Sequence, residues 1–341
     1  MLGFSNHRRG GVGTYGRGGA SVICLTLAVL AGPAAAGGGF TTFDVSGATA
    51  TYPRNINAGG SITGSYADSS SVDHGFVRAP DGTVTSFDPN GSGDTEPLGI
   101  NKTGAIAGYY NDTGGAEHGF LRDAVGNITA IDVRKSVATQ PQGLNDSGEL
   151  AGYYMDKNYV MHGFVRSSDG STTAFDPQGS VDTEPNGINA HGDVTGYFTD
   201  SSGATHGFLR AADGTITAFD VSGSPSTFPF VINDKGVIAG FYVNGSAVNG
   251  FVRAADGTIT TFDPHDSEAT EAYGINNKDA VVGFYYTGTI HGFVRNKAGK
   301  VRKFDPPDST TTEPWGINAR GVIAGQYIDS EGIYHGFIRK P

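Results

Sequence analysis

The sequence predicts an all-β fold built from one unit that is repeated seven times. The triplet His-Gly-Phe recurs at intervals of 42 to 44 residues, with an asparagine in place of the fifth histidine: His74, His118, His162, His206, Asn249, His291 and His335. A Phe-Asp pair, a Thr-x-Pro, an Ile-Asn, a glycine, a tyrosine and an arginine keep the same spacing. A constant period of this length indicates a repeated supersecondary unit.

Each unit is predicted to contain four short strands. In the second copy, residues 95–101, 105–110, 118–122 and 128–132 are rich in β-branched and aromatic residues and are bounded by turn residues. Asp-Gly pairs such as Asp81-Gly82 separate the third and fourth segments, where a tight hairpin requires residues that tolerate positive φ. Four antiparallel strands in about 44 residues match one blade of a β-propeller.

The two ends of the repeat predict a closed ring. The last copy stops at Arg339 without its fourth segment, and residues 40–45 near the N-terminus are a segment of that kind. A ring can use this offset to complete its last blade with strands from both ends. We therefore predict a single seven-bladed β-propeller over residues 37–341, with an open β-solenoid as the alternative.

Residues 1–36 have the features of a secretory signal peptide. They combine three arginines, an apolar stretch and a small-residue cleavage site: Arg8, Arg9 and Arg17, residues 22–30, and Ala34-Ala35-Ala36. The apolar stretch is shorter than the roughly 20 residues of a membrane span. We expect export to the periplasm or the extracellular space. The only cysteine, Cys24, lies in this segment, so the mature chain is expected to lack disulfides and cysteine metal sites.

The charge balance limits the possible partners. The formal net charge is −11, and loss of the three signal arginines makes the mature chain more negative. An acidic surface repels phosphate backbones, so nucleic acid is a poor partner. Neutral sugars, cations and other proteins remain possible, no membrane insertion is expected, and the oligomeric state is left open.

The repeat resembles the HAF-type repeat of secreted bacterial proteins. That signature has the form Gly-Ile-Asn, Gly-x-Tyr, His-Ala/Gly-Phe and a closing Phe-Asp-x-Pro, and here it reads, for example, Gly187-Ile188-Asn189, Gly196-Tyr197-Phe198, His206-Gly207-Phe208 and Phe219-Asp220. The resemblance covers residues 40–341. It implies export and repetition, and it implies no catalytic residue.

Positions that recur in every unit are interpreted as scaffold. The histidines are expected to bond a turn or a neighbouring blade's backbone, since Asn249 keeps hydrogen bonding without acid–base capacity. The recurring arginines are expected to pair with the Phe-Asp carboxylates of neighbouring blades. The recurring strand glycines are expected to allow close approach of strands.

Positions that break the repeat are interpreted as the site. The Thr-x-Pro-x-Gly-Ile-Asn strand is expected to be innermost, so its variable residues face the mouth of the central channel. Units five to seven place aromatic residues and carboxylates there: Phe228, Phe230, Tyr273, Trp315, Glu271 and Glu313. Aromatic faces beside carboxylates suit stacking on a sugar ring and hydrogen bonding to its hydroxyls. The leading hypothesis is therefore a binding propeller for an extracellular glycan or protein; alternatively, these aromatics fill the channel as core.

Two further functions use the same region. Two of Glu184, Glu271 and Glu313 could form the acid/base pair of a polysaccharide hydrolase or lyase, which requires carboxyls about 5 to 10 Å apart. A structural envelope repeat is the third hypothesis. No cofactor is expected; Asp88, Asp94 and Glu96 are weak candidates for calcium, because oxygen side chains alternate along their loop.

Overall fold

The computed structural model describes residues 39–264 and 267–341, which contain 28 β-strands. The predicted signal segment, residues 1–36, lies outside the described residues. None of the described residues forms a helix able to span a bilayer.

After β1 (Phe40–Phe43), the strands form successive four-stranded antiparallel groups. Group 1 is β2 (Ala50–Ile56), β3 (Ile62–Ala67), β4 (Asp73–Arg78) and β5 (Val84–Phe87). Group 2 is β6 (Ser92–Ile100), β7 (Ile106–Asp112), β8 (Glu117–Arg122) and β9 (Ile128–Ile131). Group 3 is β10 (Ala138–Leu144), β11 (Leu150–Met155), β12 (Met161–Arg166) and β13 (Thr172–Phe175). Group 4 is β14 (Ser180–Ile188), β15 (Val194–Asp200), β16 (Thr205–Arg210) and β17 (Ile216–Phe219).

The remaining groups repeat this arrangement. Group 5 is β18 (Ser226–Ile232), β19 (Ile238–Asn244), β20 (Ala247–Arg253) and β21 (Ile259–Phe262). Group 6 is β22 (Ala269–Ile275), β23 (Val281–Tyr286), β24 (Ile290–Arg295) and β25 (Val301–Phe304). Group 7 is β26 (Thr311–Ile317), β27 (Ile323–Ile328), β28 (Tyr334–Arg339) and β1, which pairs antiparallel with β28 from Phe40↔Arg339 to Phe43↔Gly336.

The first strands of the groups are the inner strands of the molecule: β2, β6, β10, β14, β18, β22 and β26. Each contacts the inner strand of the next group, and β26 contacts β2, so the inner strands form a closed cycle. The recurring strand glycine makes the pairing within a group possible, because a Cβ at Gly64 would lie 2.1 Å from the carbonyl oxygen of Tyr52. The predicted role of these glycines is confirmed.

A ring of side-chain hydrogen bonds joins the ends of the inner strands. Each recurring asparagine donates from Nδ2 to the backbone carbonyl of the next one at 3.0–3.3 Å, in the order Asn57, Asn101, Asn145, Asn189, Asn233, Asn276, Asn318 and back to Asn57. All of these asparagines are buried. This asparagine ring bonds the last group directly to the first, although the two are far apart in the sequence.

The hydrophobic core consists of layers between adjacent groups. The phenylalanine of every His-Gly-Phe or Asn-Gly-Phe triplet is fully buried: Phe76, Phe120, Phe164, Phe208, Phe251, Phe293 and Phe337. One layer, for example, combines Val282 and Phe304 of group 6 with Ile323 and Phe337 of group 7. Burial of such side chains contributes roughly 1.5 to 3 kcal/mol each, so stability is spread around the whole cycle.

The predicted partner of the recurring arginines, the carboxylate of a Phe-Asp pair, was wrong. The guanidinium of one group lies over the phenylalanine ring of the preceding group's Phe-Asp pair at 4.7–5.1 Å, as in Arg78 over Phe43 and Arg122 over Phe87. The contact does cross between groups. However, the aspartates of these pairs bond histidine instead, except Asp263, which accepts from Ser267, because the carboxylate and the ring of one Phe-Asp pair point to opposite faces of a strand.

Candidate functional site

A β-bulge in each inner strand presents the variable residue that the sequence singled out. The register with the second strand shifts after the recurring Pro position, between Pro314 and Gly316 in β26 for example. The skipped residues, called the bulge residues here, are Arg54, Leu98, Gln142, Asn186, Phe230, Tyr273 and Trp315. A bulge frees a side chain from the strand ladder and re-aims it.

The aromatic residues of groups 4 to 7 form one continuous cluster, the aromatic belt. Its members are Tyr197, Phe228, Phe230, Phe241, Tyr273, Phe284 and Trp315. Ring centroids are 5.1 Å apart for Tyr197–Phe228, 5.4 Å for Phe230–Phe241, 4.8 Å for Phe230–Tyr273 and 4.7 Å for Tyr273–Trp315. The four predicted aromatic site residues are thus brought together, and each is half-buried.

Arg54 continues the aromatic belt into group 1. Its guanidinium lies 4.8 Å from the centroid of the Trp315 ring, within the range of a cation–π interaction. On its other side Arg54 attracts the carboxylate of Glu96 in group 2, which lowers the pKa of Glu96 against the larger raising effect of burial. The bulge residue of group 1 therefore connects the aromatic belt to a buried carboxylate.

Two of the predicted carboxylates lie within the aromatic belt. Glu271 accepts a hydrogen bond from the Tyr273 hydroxyl, and Glu313 accepts one of 2.7 Å from Gln326 Nε2. Burial raises the pKa of Glu271, the Tyr273 bond lowers it, and the charge of Glu313 raises it. The structure brings Glu271 and Glu313 close enough to interact. Glu184 is held in group 4, where Tyr197 donates to it at 2.7 Å.

The calcium candidates are engaged with separate partners. Asp88 bonds His74 Nδ1 at 2.7 Å, Asp94 accepts the backbone N–H of Asp73 at 3.0 Å, and Glu96 accepts Ser65 Oγ at 3.1 Å. Among the described residues, no group of three or more His, Cys, Asp or Glu side chains is arranged to hold a metal ion.

The recurring histidines are held between two aspartates of their own group. Nδ1 bonds the Phe-Asp carboxylate at 2.7–3.0 Å, and in most groups Nε2 faces the aspartate of the adjacent turn at 3.1–3.9 Å. The expected neighbouring-blade backbone is not the partner. In group 7 the Nδ1 bond joins His335 to Asp44, just beyond β1, so this clamp also fastens the N-terminal strand.

Two pattern-breaking residues were missed by the sequence reasoning. The residue after the strand glycine is aromatic in groups 2 to 6, at Tyr109, Tyr153, Tyr197, Phe241 and Phe284, but it is Ser65 in group 1 and Gln326 in group 7. In the register, these residues face the variable positions of the inner strands, as in Glu313↔Gln326. Reading the second strand for breaks, as well as the inner strand, would have found them.

A central cavity of about 240 Å³ lies at the asparagine-ring end of the inner strands. Its wall is formed by the Ile-Asn pairs, or Leu144-Asn145, of successive groups. The asparagines are saturated by the ring and by their own turns, since Asn101 Oδ1 accepts the N–H groups of Thr103 and Ala105. The asparagines at this end are therefore already hydrogen-bonded within the scaffold, and we look for the binding site at the aromatic belt instead.

Solved structures with the same arrangement of strands are numerous. The chain is similar to virginiamycin B lyase from Staphylococcus aureus (14% identity, 89% of this chain and 99% of that chain, TM-score 0.61). It is also similar to the Cps50 (Swd1) β-propeller domain of Myceliophteria thermophila (11% identity, 89% and 99%, TM-score 0.55). The fold is a β-propeller. The BP39L lectin of Burkholderia pseudomallei shares this fold (10% identity, 86% and 96%, TM-score 0.54).

No protein-family model and no curated protein matches the chain. At these identities the structural likeness establishes the propeller fold alone, because a single fold hosts many unrelated activities. The function has to be argued from the residues of the site.

Proposed function

We propose that this protein is a secreted, seven-bladed propeller that recognises an extracellular glycan through the aromatic belt. Each four-stranded group is one blade in this proposal. The closed cycle of inner strands and the asparagine ring support the count of seven. The charged, then apolar, then small-residue pattern of residues 1–36 supports export, and the motif order supports assignment to the HAF-type repeat.

The observation that carries the proposal is the one-sided distribution of aromatic bulge residues. Phe230, Tyr273 and Trp315 occupy the bulge in three consecutive groups, whereas Leu98, Gln142 and Asn186 occupy it in the three groups before them. Scaffold needs do not require this difference, because the bulge itself recurs in all groups. Half-buried rings beside carboxylates offer an apolar face and hydrogen-bond acceptors, the combination that sugar rings require.

A glycan array probed with the full-length exported protein tests this function. We expect binding to a restricted set of neutral saccharides, and we expect Phe230→Ala to lose it. Gln142→Ala, at the equivalent bulge in group 3, is the matched control and should bind as the wild type does. No binding by the wild type, or equal binding by Phe230→Ala, would refute the proposal.

Glycan cleavage is the second candidate function, and the raised pKa of Glu271 favours it. Burial raises the pKa of Glu271 while the neighbouring Glu313 is hydrogen-bonded by Gln326. Neighbouring carboxyls in different environments are the arrangement by which glycosidases separate acid and base roles. Release of new reducing ends from a bound glycan, abolished in both Glu271→Gln and Glu313→Gln, would favour cleavage; binding without products would favour recognition.

A further inference from the structure

The place where the first and last groups meet differs from every other junction in the molecule. Groups 2 to 6 fill the position after the strand glycine with a tyrosine or phenylalanine, and only Ser65 and Gln326 lack a ring there. These two residues lie in groups 1 and 7, whose strands are in contact, since β2 packs against β26, β27 and β28. Two adjacent rings are thus replaced by small or polar side chains.

The polar atoms at this junction are buried and incompletely bonded. Gln326 is 3% exposed; its Nε2 donates to Glu313 at 2.7 Å, but its Oε1 accepts no hydrogen bond from the described residues. The indole Nε1–H of Trp315 is likewise buried with no acceptor among the described residues. Buried polar groups are nearly always bonded, and leaving them unbonded is costly. Group 7 therefore holds both a donor and an acceptor that are buried and unbonded, and Arg54 Nε, next to Trp315, is a second unbonded donor.

The charges at this junction cluster, which comprises Arg54, Ser65, Glu96, Glu313, Trp315 and Gln326, do not favour an anion. The only cation of the cluster, Arg54, already stacks on Trp315 and attracts Glu96, although its buried Nε has no acceptor among the described residues. Glu313 adds a second carboxylate beside Gln326. A neutral group that both donates and accepts fits this balance, and the hydroxyl is the commonest such group.

We propose that the junction cluster is a subsite for a pair of neighbouring hydroxyls of a saccharide. One hydroxyl accepts from Trp315 Nε1 and the other donates to Gln326 Oε1, while the ring of the sugar lies against the aromatic belt. This inference rests on the proposed function. It assigns the polar end of the same site and makes Gln326 a specificity-determining residue.

Gln326→Tyr is a sharp test because group 4 shows that the variant can be accommodated. There Tyr197 faces Glu184 in the same register and donates to it at 2.7 Å, so a tyrosine at 326 can keep Glu313 bonded while it fills the junction. Gln326→Met is a second variant of similar length that removes the acceptor without adding a ring. Phe230→Ala reports on the aromatic belt, and Gln142→Ala is the control bulge variant, since Gln142 bonds Gln140 within its own group.

The readout is a titration of the full-length protein with the methyl glycosides of glucose, galactose and mannose and their monodeoxy analogues. Trp315 is the only tryptophan, so its emission reports directly on this site. We expect at least one glycoside to bind, at least tenfold weaker binding to Gln326→Tyr and Gln326→Met, and a similar loss when one of two neighbouring hydroxyls is absent. Gln142→Ala should bind as the wild type does.

Two results would overturn the inference, and they are distinguishable. If Phe230→Ala loses binding but both Gln326 variants keep wild-type affinity, the proposed function stands and the junction holds water only. If none of the glycosides binds the wild type, the subsite fails, while the glycan array decides separately whether the proposed function stands.

Discussion

Groups 2 to 4 and groups 5 to 7 place different side chains on the same backbone. In groups 3 and 4 a tyrosine of the second strand donates to a polar residue of the inner strand, as Tyr153 does to Gln140 and Tyr197 to Glu184. In groups 5 and 6 phenylalanines replace those tyrosines, and Phe241 and Phe284 stack on other rings instead. We call these regions the polar half and the aromatic half; Tyr197, at the boundary, bonds Glu184 within the polar half and also forms the end of the aromatic belt.

The difference shows how a repeated scaffold acquires a site. The asparagine ring, the bulge and the buried phenylalanines are common to both halves, so they keep the backbone in place. The second-strand tyrosines of groups 3 and 4 are hydrogen-bonded to the inner strand, whereas the aromatic half leaves ring faces half-buried and, at Trp315 and Gln326, polar atoms of the site unbonded. In this account the binding site lies in the aromatic half, and it is created by a few residues at positions that the scaffold leaves variable.

The largest effect is expected from deleting residues 40–46, which join the aromatic half back to group 1. The deletion removes the β1–β28 pairing, the contacts of Phe40 and Phe43 with neighbouring rings, and the bond from His335 to Asp44. We expect a loss of at least about 3 kcal/mol in the free energy of unfolding, since full burial of a phenylalanine contributes roughly 1.5 to 3 kcal/mol, and two half-buried ones are lost together with the strand pairing. Urea unfolding measures this, and an unchanged midpoint would contradict the closed cycle.

Much of this architecture could be predicted from the sequence, because a period of about 44 residues and β-rich segments constrain strands strongly. The all-β propeller fold is confirmed, whereas the count of seven blades and the assignment of Phe230, Tyr273 and Trp315 as ligand residues remain predictions. The arginine partners could not be deduced, since a Phe-Asp pair offers both a ring and a carboxylate to a cation. Gln326 was missed because its significance depends on which strand faces Glu313.

Removing one asparagine of the ring in each half should cost the same. Asn101 and Asn276 are both buried, accept two turn N–H groups and donate to the next asparagine's carbonyl; Asn101 also accepts from the Thr103 hydroxyl. Asn101→Ala and Asn276→Ala should each lower the free energy of unfolding by about 1 to 3 kcal/mol, the cost of leaving a buried polar group unbonded. A large difference between the two variants in thermal melts would show that the scaffold is not common to both halves.

The clamp at the ring closure should stabilise the protein in a pH-dependent way. Burial lowers the pKa of His335, but its bonds to Asp44 and Asp329 outweigh this and raise the pKa above its usual 6.5. A raised histidine pKa gives stability that is complete below pH 6.5 and is lost as the pH rises through the folded-state value.

His335→Asn, which copies Asn249, should therefore destabilise the protein more at pH 5.5 than at pH 8.5 and leave ligand affinity unchanged. Melting curves at both pH values check this. A larger loss at pH 8.5 would reverse the sign and refute the clamp.

The smallest effects on stability are expected from two buried carboxyls, one beside a cation and one without a cation. Burial raises the pKa of both Glu271 and Glu96, but only Glu96 has a cation, Arg54, beside it. A carboxyl with a raised pKa reduces stability as the pH rises from its usual 4.5 through the folded-state value. Glu271→Gln should thus increase stability at pH 7 and flatten this decline, whereas Glu96→Gln should increase it less, because Arg54 already offsets part of the effect of burial on Glu96. Equal gains in chemical unfolding would remove this distinction between the halves.

Calorimetric affinity of Trp315→Ala and Leu98→Ala for a glycan selected on the array tests the central claim most directly. The two residues occupy the same bulge in opposite halves. We predict that Trp315→Ala weakens binding by about 1 to 3 kcal/mol, the scale of losing one aromatic anchor, while Leu98→Ala changes it by less than about 0.5 kcal/mol. Thermal melts should show both variants folded. Equal affinities for the wild type and a folded Trp315→Ala would contradict the assignment of the aromatic half as the site.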